Sequence, residues 1–428
     1  TWGKSVKRRR CPATVVSRNV APPCAGGLWT ESGLPIPRLP RTFARKVRRC
    51  AMERAFSPPP LAIPGTIRWP RAGAIPSIGL TFALACALGA AIVAGVGWGT
   101  VPIGPTLVAR VIAAHLGFGA GAADWTAAQD AIVWQVRLPR VIGAVLAGAA
   151  LATSGALFQG LFRNPMADPF VLGISSGAAF GATLALLVGP AAGLAAIGVL
   201  APTAAGLQAM VVPAAGAIGA VTTAFVVFRI ARRGAGFLLT DLLLAGFAVG
   251  SMLTAATTAV LVLNDQMAVR LRLVFSWLAG GIAVNGWGHL GVAAPVVVLS
   301  LFVAFGLARW LDPLVLGEAG AASVGVPVAL TIRVTLATGA VLAASAVTLG
   351  GLIGFVGLLV PHMLRRLTGP SHRRLLPACA FGGGAFLVVA DLLARVVLAP
   401  VELPVGILTA MVGGPTFLMI LRRARRAS

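Results

Sequence analysis

From residue 77 onward, apolar side chains run in blocks of about 20, separated by short stretches rich in Arg, Pro and Asn. An α-helix rises about 1.5 Å per residue, so each block is long enough to cross the ~30 Å hydrocarbon core of a bilayer. The pattern predicts ten helical spans, at about 77–97, 140–161, 171–189, 209–229, 238–262, 288–308, 328–347, 350–364, 375–396 and 404–421. Two stretches fit less well: 350–364 is short and Gly-rich, and 191–205 is an Ala/Gly run that reads as a re-entrant or external helix. Gly177 with Gly181, Gly246 with Gly250 and Gly350 with Gly354 have the spacing that lets helix backbones approach closely in a bundle.

Composition agrees with lipid as the solvent. Of 428 residues, 58% are hydrophobic and 11% charged, with a mean hydropathy of +0.92. The net charge of +24 would suggest nucleic acid until it is divided along the chain. Residues 1–71 carry 15 of the 35 lysines and arginines against Glu31 and Glu53. Residues 1–72 read as a basic, Pro-rich, disordered tail or an over-extended start, with a transit peptide or lipid-binding tail as the functional alternative. The domain of interest is 73–428.

The remaining 20 cations are all Arg. Arg229, Arg232, Arg233, Arg309, Arg365, Arg366, Arg373, Arg374, Arg422, Arg423, Arg425 and Arg426 fall on one side of a ten-span topology with both termini cytoplasmic, as the positive-inside rule expects. The other side receives Arg110, Arg137, Arg140, Arg270, Arg272 and Arg395, with Trp98, Trp125, Trp134, Trp277 and Trp287 near its junctions.

The residues that carry chemistry are few. Cys11, Cys24, Cys50, Cys86 and Cys379 form no CxxC pair, and His115, His289, His362 and His372 are scattered, so no metal cluster is expected. No Lys occurs after Lys46, which excludes a phosphate-binding P-loop from the apolar part. The acids avoid span centres: Asp168, Asp312 and Glu318 lie in loops, Asp241 starts a span and Glu402 precedes one. Asp391 lies within a span, four residues before Arg395 on the same helix face, and an ion pair there fits better than a proton relay. Gly173, Ser175 and Gly177 match G-x-S-x-G, the nucleophile elbow of serine hydrolases. The preceding "RNPMADP" favours an irregular loop over the strand an elbow needs, so Ser175, Ser176 and Gly177 read as a helix start with hydroxyls capping free N–H groups.

Several long motifs in order carry a resemblance. "VWQVRLPRVIGAVLAGAALATSGALFQGLFRNPMADPFVLGISSGAAFG" (133–181), "LVLGEAGAASVGV" (314–326), "GLIGFVGLLVPHMLRRLTGPSHRRLLP" (351–377), "ADLLARV" (390–396) and "ELPVGILTAMVGGPTFLMILRR" (402–423) resemble the permease subunits of binding-protein-dependent ABC importers for ferric siderophores, haem and cobalamin. The resemblance spans about residues 77–428. It implies an all-α polytopic membrane protein of the type II importer class with ten helices per subunit, working as a homodimer in a bacterial or archaeal cytoplasmic membrane.

It further implies a separate cytoplasmic ATPase dimer that hydrolyses ATP, and a periplasmic or lipid-anchored substrate-binding protein. No cofactor or metal is expected on this chain, nor any catalytic role, and nucleic acid is not a partner. Arg137, Arg140 and Arg395 match positions expected to meet acidic residues of the binding protein. The loop at about 310–327 matches the coupling helices: Leu314, Leu316, Ala319 and Ala322 would offer an apolar face to the ATPase, beside Glu318, with Gly317 and Gly325 breaking two short helices. Asn164, Pro165, Ser175, Ser176 and Gly177 are inner-loop or pathway candidates, and Ser371 stands where relatives often carry Asp. The expected cargo is a ferric siderophore or related metal chelate, with haem or cobalamin as alternatives within the family. The rivals from other classes are an ion-coupled secondary carrier and an intramembrane serine hydrolase.

Overall fold

The computed structural model describes residues 77–427 apart from 100, 102, 119–123, 190–204, 234–235, 238, 265–273, 283 and 285. The N-terminal tail, most of the Ala/Gly run at 191–205, and Arg270 and Arg272 lie outside the described residues. A helix forms at each of the ten expected runs: α1 (Ser77–Gly97), α4 (Leu138–Leu161), α5 (Ile174–Val188), α6 (Ala205–Ala231), α7 (Leu239–Leu263), α8 (Gly286–Leu311), α10 (Val328–Gly350), α11 (Val356–Thr368), α12 (His372–Val396) and α13 (Val405–Ala427). Shorter helices α2 (Pro105–His115), α3 (Ala127–Ala131) and α9 (Glu318–Ser323) connect them. Among the described residues, strand pairing is confined to Arg232–Arg233 against Gly236–Phe237.

Among the described residues, seven helical segments are long and apolar enough to cross a bilayer, and the α5 and α13 segments are shorter apolar helices. The segment expected at 350–364 differs from its prediction. Its helix begins at Val356 and has 13 residues, about 20 Å at 1.5 Å per residue and too short to span. Backbone dihedrals explain the late start: Gly351 (φ 63°) and Phe355 (φ 67°) both adopt left-handed conformations that a helix cannot continue through. Gly413 of α13 leaves room for the Phe355 side chain, where any Cβ would collide with it.

α4 is the centre. Its segment is 83% buried against 11% for the α7 segment, so α4 is surrounded by its own chain and α7 borders something else. α4 packs on α12, α10 and α11, and α12 in turn packs on α1. A second layer has α5 between α6 and α7, joined to the first where α6 meets α10. Phe158 of α4 contributes to this second core, with its ring over Gly339 of α10. The Ser154 hydroxyl donates to the Gly339 carbonyl at 2.7 Å.

Missing side chains explain the packing. A Cβ at Gly148 of α4 would collide with the Gly383 carbonyl of α12, and one at Gly383 would collide with the Gly148 carbonyl. Gly155 meets the Gly357 carbonyl of α11 in the same way, and Gly177 of α5 meets Gly219 and Thr223 of α6. Backbones this close gain dispersion contacts that water-free helices cannot obtain from a hydrophobic drive.

Gly155→Ala is expected to destabilise the fold by about 1–3 kcal/mol, the range for overpacking a dense interior. Gly89→Ala, at a helical glycine with open space around its Cβ position, should be neutral. Thermal unfolding in detergent checks both; equal midpoints for the two variants would contradict the close α4–α11 contact.

Candidate functional site

α4 and α12 run antiparallel, so each end of the pair gathers residues distant in sequence. At one end, a π-helical turn (Ile132–Arg137) leads into α4 and sets Arg137 and Arg140 near the α12 residues Asp391 and Arg395. Arg137 is buried and donates through Nη1 to the carbonyls of Val96 (3.1 Å) and Gly97 (3.2 Å), and through Nη2 to that of Val101. Arg395, also buried, donates to the carbonyls of Gly95 (3.0 Å) and Trp98 (3.3 Å) and pairs with Asp391 at 3.0 Å. The expected Asp391–Arg395 pair therefore forms.

Apart from that of Val101, these carbonyls close the last turn of α1, where helical partners run out and the dipole favours cations. The two buried arginines thus satisfy backbone groups that lipid could not. Arg140 is placed differently. It bridges Asp391 (3.0 Å) and Glu402 (2.8 Å) with its side chain 18% exposed, and Glu402 is 42% exposed, so within this arginine cluster the Arg140–Glu402 pair is the one solvent can reach.

The opposite end holds the loop 312–326. A 3₁₀ turn (Pro313–Leu316) and α9 are separated by Gly317 (φ 91°), and the chain turns again at Gly325 (φ 83°), giving the two short pieces expected. The face they present differs from the expected one. Leu314 is 4% exposed and belongs to the core, whereas Leu316, two residues further round the 3₁₀ turn, is 69% exposed. Val315, Leu316, Ala319, Ala322 and Val324 form the exposed apolar face, with Glu318 also exposed.

Asp312 precedes this loop and ties it to α12. It accepts from the Ser371 hydroxyl (2.9 Å), the His372 backbone N–H (2.7 Å) and His372 Nδ1 (2.7 Å). Burial alone would raise the Asp312 carboxyl, but these donors from His372 and Ser371 hold it below the usual carboxylate range. The sequence signal for this triad was an acid at a helix end and a Ser-His pair opening another, too common to be singled out.

At the same end, just past α4, Asn164 Oδ1 accepts from the Met166 N–H (2.9 Å) in a turn, with Pro165 exposed beside it. Asp168 caps a 3₁₀ turn, Pro169–Leu172, by accepting from the Phe170 N–H at 2.8 Å. This turn, with no strand, precedes Ser175, so the nucleophile elbow is not built. The expected hydroxyl cap is not built either: Gly173 (φ 72°) starts α5, and the Ser176 hydroxyl donates backward to the Gly173 carbonyl at 3.1 Å.

Ser175 and Ser176 instead line a cleft of about 700 Å³ between α5 and α7, with Phe170, Ser251, Thr254 and Thr258. Thr254 and Thr258 donate their hydroxyl protons to the carbonyls of Gly250 (2.9 Å) and Thr254 (3.0 Å) in their own helix. Ser175 and Ser176 join this cleft, while Gly177 stays in the α5–α6 contact.

The α2–α3 region was not anticipated. His115 of α2 stacks on Trp134 with centroids 4.2 Å apart and lies 3.1 Å from Asp130, to which Trp125 Nε1 donates. The contacts pin α2 at the Arg140 end. Among the described residues, no His, Cys, Asp and Glu cluster could hold a metal.

A family model, the FecCD transport family, matches residues 86–423, most of the chain. The chain belongs to the FecCD transport family. It is therefore a membrane permease of an ABC importer. It is similar to the cobalamin import system permease of Halobacterium salinarum, 44% identical over 68% of this chain and 73% of that protein. It also resembles the hemin transport system permease of Yersinia pestis, 40% identical over 70% of this chain and 87% of that protein. A vitamin B12 import system permease of Escherichia coli is 38% identical over 71% and 87% of the two chains. Among solved structures, an inward-facing metal-chelate type ABC transporter superposes with a TM-score of 0.66 at 28% identity, over 81% of this permease and 99% of that chain.

Burial pushes the Asp168 carboxyl up to about 6 from its usual 3.8, against the hydrogen bond from Phe170. The unfolded chain loses this proton first as pH rises, so folded stability falls between roughly pH 4 and 6. Asp168→Asn keeps the Phe170 acceptor without the buried charge. It is expected to melt a few degrees above wild type at pH 8, with the gap closing below pH 4; a pH-independent gap would refute the assignment.

Proposed function

We propose that this permease is one half of a chelate importer's membrane passage, oriented with the Arg140 end outward and the 312–326 end in the cytoplasm. A second copy supplies the other half, a separate ATPase dimer binds the 312–326 loop, and a substrate-binding protein docks on the Arg140 end. The observation that carries the reading is the division of labour along α4, which joins a solvent-reachable ion-pair surface at one end to an apolar loop surface at the other. Between them lies the hydroxyl-lined cleft beside α7, whose low burial supports a second copy as its other wall.

Arg137, Arg140 and Arg395 make up the docking cluster. Arg140, bridging to the half-exposed Glu402, is suited to exchange Glu402 for a carboxylate of the binding protein. Arg137 and Arg395 hold the platform through the α1 carbonyls. On the other side, Leu316, Ala319 and Ala322 offer the apolar contact to the ATPase, with Leu314 seated beneath them and Gly317 and Gly325 setting the bends. Glu318 stands exposed at the rim of that contact. ATP is hydrolysed on the partner, and the paired ATPases' closure moves this loop so that the passage opens to alternate sides.

The cargo is a metal chelate, whether ferric siderophore, haem or corrinoid. Similarity to permeases named for cobalamin and hemin supports the last two.

Reconstitution in liposomes with the cognate ATPase and binding protein tests the proposal, with a labelled ferric siderophore, haem and cobalamin offered side by side. Uptake of one chelate that needs ATP and all three components is expected. Uptake that follows an ion gradient after ATP depletion would return the chain to the secondary carriers. In the same system, Arg140→Glu should weaken binding-protein association about tenfold or more, as loss of a close interfacial charge pair does. Glu402→Gln, which frees Arg140, should leave affinity equal or raise it, and a loss there would contradict the exchange.

A further inference from the structure

The last turn of α4 is a junction of four elements. Gln159 Nε2 donates to the carbonyls of Gly357 and Leu358 in α11, both at 3.3 Å. Gly160 lies directly under the His372 imidazole of α12, so that any Cβ at this position would collide with Nε2. Two residues past the helix, the Arg163 guanidinium comes within 3.7 Å of the Cβ position of Gly317, the bend between the 3₁₀ turn and α9.

The His372 ring is buried and has one outlet. Nδ1 is 2.7 Å from Asp312 Oδ1, while the buried Nε2 has no hydrogen-bond partner and faces Gly160. Asp312 is also held by the Ser371 hydroxyl and the His372 N–H, so three contacts bind one carboxylate. Arg365 of α11 is the neighbouring cation on this side. A charge-assisted set of this kind is stiff, and severing it leaves a half-buried carboxylate with fewer donors.

We infer that the Asp312–Ser371–His372 clasp is the positioning joint through which movement of the 313–325 loop is passed to α12 and, across the His372–Gly160 contact, to α4. The inference rests on the importer reading for its consequence in transport, and on geometry alone for the joint. A push on α9 or the 3₁₀ turn displaces Asp312, the residue immediately before them. Asp312 cannot move without drawing the first residues of α12, because the His372 N–H and ring are held to the same oxygen. The ring in turn cannot shift without meeting Gly160, which has no side chain to yield. Loop motion therefore reaches the two helices that carry Arg140, Asp391 and Arg395 at their far ends.

Two readouts test the joint. In the reconstituted importer, Asp312→Asn is expected to keep ATPase association and ATP hydrolysis while chelate uptake per ATP falls about fivefold or more. Ser371→Ala, the milder variant should Asp312→Asn fold poorly, should lower the same ratio about twofold. Unchanged uptake per ATP in both single variants would overturn the inference, as would a loss explained wholly by weaker ATPase binding.

The second readout is hydrogen exchange on the purified permease alone. Ser371→Ala should speed exchange at 158–164 and at the start of α12 as well as in 313–325, leaving α7 unchanged. Faster exchange confined to 313–325 would overturn the joint. Wild-type vesicles that take up no chelate with ATP would sink the importer reading, while exchange would still decide the clasp.

Discussion

The backbone contact between α4 and α12 is the constraint on which the rest depends. Gly148 and Gly383 approach until neither position tolerates a Cβ. In an environment with little hydrophobic drive between helices, that approach is a principal source of cohesion. It also fixes the antiparallel register, and the register brings Arg140 to Asp391 at one end and Gly160 to His372 at the other. α1, α10 and α11 then pack around this pair.

Several polar side chains in the bundle serve backbone groups near helix ends. Arg137 and Arg395 close the carbonyl end of α1, Gln159 serves two carbonyls of α11, and Asp312 receives the first N–H of α12. A membrane protein must satisfy such groups internally, because lipid offers no donors or acceptors. The same side chains that complete helix ends therefore also join helix to helix. Stability and transmission of movement share these residues.

The spans were legible because periodicity hardly matters when a whole segment is apolar: length alone marks a helix that crosses lipid. Gly317 and Gly325 were legible too, since glycine between short apolar pieces signals a left-handed turn. What escaped detection depended on contacts between distant residues. Asp312 and His372 are 60 positions apart, and nothing in either neighbourhood announces the other. The inward turn of Leu314 follows from the packing of its turn against α8 and α4, which the four residues "PLVL" do not specify. At 350–364, hydropathy hid the dihedral break, since Phe355 is as apolar as its neighbours yet adopts a conformation that starts a helix rather than continuing one. The amphipathic α2 was missed because a search for uniformly apolar runs passes over a helix with a polar face.

The Gly148–Gly383 contact also gives α4 a mechanical asymmetry. Gly148 lies eight residues from Arg140 and twelve from Gly160, or about 12 Å and 18 Å along the axis at 1.5 Å per residue. A rigid α4 rocking on that fulcrum has unequal arms, the longer toward the 312–326 loop. A displacement entering at Gly160 arrives at Arg140 reversed in direction and reduced by about a third, with force raised in proportion. Such a rocking helix would trade travel for leverage at the Arg140 end.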